Sequence, residues 1–142
     1  MLKGVSIWIL WIVSLAAIAD TSKDISDCSN VGNTIQINQC AAGVAAREDA
    51  RMQDELSRLV AALKRVEKFF SKEVPKPSFV APLQLAQEAW LKYRDQQCHF
   101  VVALAMGGSV GELHRQGCLT SVNEERANRL QEFRQQYEAE GY

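Results

Sequence analysis

The chain has 142 residues, of which 47% are hydrophobic and 23% charged, with 16 Lys and Arg against 17 Asp and Glu. That length suits one domain, and the near-balance of charge excludes the basic surface of a nucleic-acid binder or a polybasic membrane patch. No repeat, low-complexity tract or strand-like alternation of any length is present.

Residues 5–19 are almost wholly apolar, with Lys3 before them and the polar run Asp20-Thr21-Ser22-Lys23-Asp24 after. A positive start, a short apolar stretch and a small-x-small site, here Ala17-Ile18-Ala19, are the parts of a secretory signal. Cleavage is expected after Ala19, leaving residues 20–142 as one periplasmic or secreted domain. A retained membrane span would need about 20 apolar residues, and this run is shorter. No cysteine directly follows it, so neither a lipid anchor nor any other membrane attachment is expected after cleavage.

Three helical patterns follow. The first runs from near Thr34 to about Ser71, with Met52, Leu56, Leu59, Val60, Leu63, Val66 and Phe70 on one stripe. Arg51, Asp54, Arg58, Lys64, Arg65 and Lys68 form its predicted solvated face. Pro75 and Pro77 end it, because proline also drives the preceding residue out of helical geometry. A second helix starts near Phe79, with Pro82 in its first turn, where a missing N–H costs nothing. Its predicted stripe is Leu83, Ala86, Trp90, Tyr93, Gln97, Val101 and Leu104, and Gly107-Gly108 closes it. Ser109-Val110-Gly111-Glu112 has the S-x-x-E form of a capping box and opens a third helix. Leu119, Val122, Arg126, Leu130, Phe133 and Tyr137 are its predicted stripe. The expected fold is all-α, a three-helix antiparallel hairpin array.

Cys28, Cys40, Cys98 and Cys118 all lie in the exported part, and an even count in a short exported chain reads as a disulfide framework. Cys98 lies ten residues before Gly108 and Cys118 ten after it, so a helical hairpin turning there sets them opposite each other. Cys28 and Cys40 pair by elimination, tying down the start of the first helix. The alternative is a zinc site from Cys98-His99 and His114-x-x-x-Cys118, whose spacing departs from the usual ligand clusters. Neither a metal nor any other cofactor is expected.

No catalytic constellation stands out. His99 and His114 are the only histidines, and their thiol neighbours are spent in disulfides. Ser109 lacks the strand–turn–helix setting of a nucleophile elbow. Adjacent Glu124 and Glu125 diverge by about 100° on a helix and make a poor acid–base pair. Trp90, Tyr93 and Arg94 are of types enriched at interface hot spots, but the amphipathic pattern places both aromatics in the core, beside an ion-pairing Arg94-Asp95 segment.

The run from Ala86 to Cys98, AQEAWLKYRDQQC, resembles the A-Q-x-A-W-x-x-[FY]-R-D-x-x-C motif of the lysozyme inhibitor LprI-like family, at Ala86, Gln87, Trp90, Tyr93, Arg94, Asp95 and Cys98. Gly107-Gly108-Ser109 and Cys118-Leu119 resemble that family's later turn and fourth cysteine, and Asn38-Gln39-Cys40-Ala41 its N-x-C-A element. Asp49, Met52, Gln53 and Leu56 follow its D-x-x-L-N-x-x-Y spacing with substitutions at the last three. Gln36, Ile37 and Asn123 depart from it. The resemblance implies an exported, disulfide-containing helical protein that binds a protein partner and catalyses nothing. The partner it implies is a lysozyme or related cell-wall hydrolase; an envelope scaffold or toxin-immunity protein with another partner is the alternative. A lysozyme cleft lined by carboxylates would be met by a loop carrying donors, which makes Gly108, Ser109, His114 and Arg115 the candidate contact.

Overall fold

A computed structural model describes residues 25–140, so the apolar run at 5–19 and the cleavage position after Ala19 lie outside the described residues. A short 3-10 helix, Ile25–Asn30, leads into α1 (Thr34–Phe69), α2 (Val80–Leu104) and α3 (Gly108–Ala139). The chain runs up, down and up, and no strand occurs among the described residues. This is the expected all-α array, braced by Cys28–Cys40 and Cys98–Cys118, with Cα separations of 5.6 Å and 5.5 Å. Bonded to each other, the sulfurs of Cys98 and Cys118 are withdrawn from any zinc ligand set.

The long α1 starts at a capping box that the sequence reading did not single out. Asn33 Oδ1 accepts from the backbone N–H groups of Ile35 and Gln36, and the Gln36 side chain accepts from the Asn33 N–H. From there α1 packs along α3 over most of its length, while α2 packs chiefly on α3 and touches α1 little. Met52, Leu59, Leu63, Ala127 and Leu130 form the core, with Phe79, Val80, Leu83, Trp90 and Tyr137 packed against it. The α1 stripe is therefore the buried face that its periodicity predicts.

The α2 stripe is rotated from expectation, whereas the α3 stripe holds at Leu130 and Tyr137 and fails at Phe133. In α2 the buried residues are Gln87 and Cys98, with Leu83, Trp90, Arg94 and Val101 half-buried; Ala86, Tyr93, Gln97 and Leu104 face solvent. The bond from Cys98 to α3 fixes this rotation, and it turns polar side chains inward. In α3, Asn123, Ala127 and Leu130 are buried, whereas Phe133 is 41% exposed.

The start of α2 shows how one helix caps another. Phe79 at its N-cap position has no side-chain cap of its own. Instead the Glu67 carboxylate of α1 accepts from the N–H of Phe79 at 2.6 Å and of Val80 at 2.9 Å, satisfying two orphan donors at the positive end of the helix. The N–H groups of Val80 and Phe79 hold the Glu67 carboxyl below its ordinary value of 4.5. A depressed carboxyl supports the fold above its ordinary pKa and loses that support as pH falls through the folded value. Amide exchange at Phe79 and Val80 is therefore expected to speed up, relative to intrinsic rates, as pH drops below 4.5. Glu67→Gln should abolish that pH dependence, and an unchanged profile in the variant would contradict the cap.

Candidate functional site

Gln87, Trp90, Arg94 and Cys98 of the A-Q-x-A-W motif converge on the seam between the helices, whereas Ala86, Ala89, Tyr93 and Asp95 are exposed. Arg94, with 15% of its side chain exposed, donates to Asp49 of α1 at 2.8 Å, to Asn123 of α3 at 3.3 Å and to the neighbouring Asp95 at 2.9 Å. One guanidinium thus joins all three helices, which its planar fork of five donors suits. Two turns earlier on α2, buried Gln87 donates to the Met52 sulfur at 3.2 Å and accepts from Arg126 Nε at 3.0 Å. The Trp90 ring is approached by two cations, the Arg94 guanidinium at 5.6 Å and that of Arg126 at 5.5 Å from its centroid. Burial pushes the Arg126 guanidinium below its ordinary pKa. Nearer the carboxyl end of α3, Arg134 donates to Glu55 at 3.0 Å, and that hydrogen bond raises the arginine's pKa.

Tyr93 lies outside this network. Expected in the core with Trp90, it is 57% exposed, because the rotation that buries Arg94 turns its neighbour outward. With Trp90, Val122, Arg126 and Arg129 it borders a shallow cleft of about 550 Å³. Asp49, Asn123 and Arg126 are the partners that the sequence reading missed as a set. The family spacing at Asp49 was the one available signal.

The α2–α3 turn is built differently from its glycine-and-serine reading. The N–H of Gly107 bonds to the Val102 carbonyl at 3.0 Å and that of Met106 to the Ala103 carbonyl at 3.1 Å, the hydrogen-bond pair of a Schellman ending. The left-handed position that glycine usually takes there belongs to Met106, at φ 57° and 95% exposed. The glycines come next. Gly107, at φ 74° and ψ −155°, is the N-cap of α3, in a backbone region essentially restricted to glycine. Ser109 is thus the second residue of α3 and caps nothing, which corrects the capping-box expectation. Glu112 instead accepts from Gln116 and pairs with Arg115 at 3.5 Å.

The turn is held from two sides. Cys98–Cys118 clamps its stem, and Asn38 of α1 donates to the Ser109 carbonyl at 3.1 Å. Asn38 Oδ1 is buried without a hydrogen-bond partner among the described residues. Gly111 sits so close to α2 that a Cβ there would lie 3.2 Å from Val102 Cγ1. His114 and Arg115 are exposed beside the turn, and Leu104 and Val110 show 68% and 58% of their surface. No group of three or more metal-ligating side chains forms among the described residues, and no helix among them is long and apolar enough to cross a membrane.

The pattern of the lysozyme inhibitor LprI family matches residues 26–130, the span that holds all four cysteines, the arginine node and the turn. The chain belongs to the lysozyme inhibitor LprI family. This LprI-family protein is also 28% identical over 116 residues to an uncharacterised protein of Rhizobium meliloti (strain 1021), covering 81% of this chain and 84% of that one. No solved structure matches it. The family is one of inhibitors, which act by binding a protein.

Proposed function

We propose that this LprI-family protein is exported after cleavage behind Ala19 and inhibits a lysozyme-type cell-wall hydrolase, with the α2–α3 turn as the contact. The observation that carries this reading is Met106, presented at the apex of a braced turn in a backbone conformation that disfavours side chains. A non-glycine residue held in the left-handed region costs about 1 kcal/mol or more, and such positions cluster at sites of function. The turn's chemistry suits its target. Glycoside hydrolases of the lysozyme type work with a pair of carboxylates. The first N–H groups of α3 have no intrahelical acceptor, and no side chain caps them at Gly107. With the helix dipole, the Ser109 hydroxyl, His114 and Arg115, they offer donors and positive potential to a carboxylate-lined cleft. Two disulfides suit an oxidising compartment.

The test is turnover of lysozymes on cell-wall substrate, titrated with the oxidised protein. Stoichiometric loss of activity is expected, and Met106→Asp or His114→Asp, which set negative charge against the target's carboxylates, should weaken inhibition about tenfold or more. Full turnover of c-type and other lysozymes in the presence of excess folded protein refutes the reading. Capture of a non-hydrolase envelope protein instead would support the scaffold alternative.

A further inference from the structure

Turned away from α1 and α3, the outer face of α2 carries Leu85, Ala89, Tyr93, Gln96, Phe100 and Leu104, all exposed. Leu85 is 67%, Tyr93 57%, Phe100 56% and Leu104 68% exposed, an amount of apolar surface along one line that calls for a partner. At 1.5 Å per residue the stripe is about 28 Å long.

Its spacing reads the same in both directions. The steps from Leu85 to Leu104 are four, four, three, four and four residues. Reversing the helix sets Leu85 against Leu104, Ala89 against Phe100, and Tyr93 against Gln96, so a small side chain meets a large one and apolar ends meet apolar ends. One flank of the stripe carries Glu88, Lys92, Asp95 and His99, all exposed, at steps of four, three and four. A reversal centred one residue earlier opposes Glu88 to His99 and Lys92 to Asp95, so in the register of the stripe each pair is staggered by about 3 Å along the helix, within reach of its side chains. Asp95 holds Arg94 through Oδ1, which leaves Oδ2 for a second cation.

We infer that this face is a self-association surface, on which α2 packs antiparallel against α2 of a second copy about a two-fold axis near Arg94–Asp95. An isologous contact requires that if one residue meets another, the second copy's pair meets the same way. The stripe satisfies that condition, and its charged flank satisfies it about a centre one residue away, a shift of about 1.5 Å along the helix. A strip about 28 Å long and one helix wide falls at the low end of specific interfaces, so the dimer is reversible and concentration-dependent. The antiparallel arrangement leaves the two α2–α3 turns at opposite ends, each free to engage a target. The inference stands independently of what that target is.

Sedimentation of the oxidised protein over a concentration series tests it. A monomer–dimer equilibrium is expected, and Phe100→Glu, at an exposed position outside the core, should shift it to monomer with helical content unchanged. Lys92→Glu should weaken the dimer about tenfold, because two-fold symmetry turns both Lys92–Asp95 pairs repulsive. Wild-type protein that stays monomeric at every concentration overturns the inference. So does a dimer indifferent to Phe100→Glu or to Lys92→Glu.

Discussion

Alanine at both Cys98 and Cys118 is expected to destabilise the protein by about 3 kcal/mol, on the loop-closure cost of a cross-link at this sequence separation, and to lower its melting point by roughly 10 °C. The bond spans 20 residues and joins α2 to α3, while α2 touches α1 little. Alanine is the right replacement, because Cys98 is 1% exposed and a serine hydroxyl there would be buried. Removing Cys28 and Cys40, which span 12 residues, carries a similar chain-entropy cost, but its local effect falls on the 3-10 helix and the start of α1. The two variants therefore separate by location. Amide exchange should rise through the α2–α3 turn in the first and around residues 25–40 in the second. Equal melting points for wild type and the Cys98/Cys118 variant, with turn protection intact, would show that the clamp is dispensable. If the turn is the inhibitory contact, the first variant also loses inhibition more steeply than stability, because a loosened turn must be reordered on binding.

How far the sequence discloses this structure depends on which kind of side chain turns inward. In α1 the inward side chains are Met52, Leu59, Leu63 and Val66, and hydrophobic period alone finds them. Proline and glycine likewise mark where the helices stop, to within two or three residues. In α2 the inward side chains include Gln87 and Arg94, so a search for apolar residues selects a neighbouring stripe and places Tyr93 and Leu104 inside. Polar residues are buried here because each has a partner on another helix, and those partners lie 29 to 45 positions away in sequence. No local pattern encodes such pairings. At the turn, S-x-x-E has the right letters for a cap, but the Schellman ending of α2 carries the chain into α3 two residues earlier. Of the candidate contact residues, the sequence indicated Gly108, Ser109, His114 and Arg115. It gave no sign of Met106, whose prominence comes from its backbone angle and exposure.

The inward-facing half of the motif joins the helices to one another, and Arg94 is where its contribution to stability can be measured. Arg94→Met keeps the length and apolar stem of the side chain while removing the charge. It leaves Asp49 Oδ1 and the Oδ1 of Asn123, a residue only 2% exposed, without their donor, while Asp49 Oδ2 still accepts from Gln53. Stranding buried acceptors costs about 1–3 kcal/mol, and Asp49 is partly solvated, so an overall loss of about 2–3 kcal/mol is expected. Arg94→Lys should recover only part of it, since one ammonium cannot span Asp49, Asn123 and Asp95 as a planar fork does. Asp49→Asn should cost much less in the Arg94→Met background than in the wild type, a coupling of at least 0.5 kcal/mol by the usual range for paired residues. Below its lowered melting point, Arg94→Met is expected to inhibit its target as well as the wild type does, because Arg94 faces the helix seam while the proposed contact lies at the turn. Stability unchanged with inhibition lost would reverse the assignment and make the motif the contact surface.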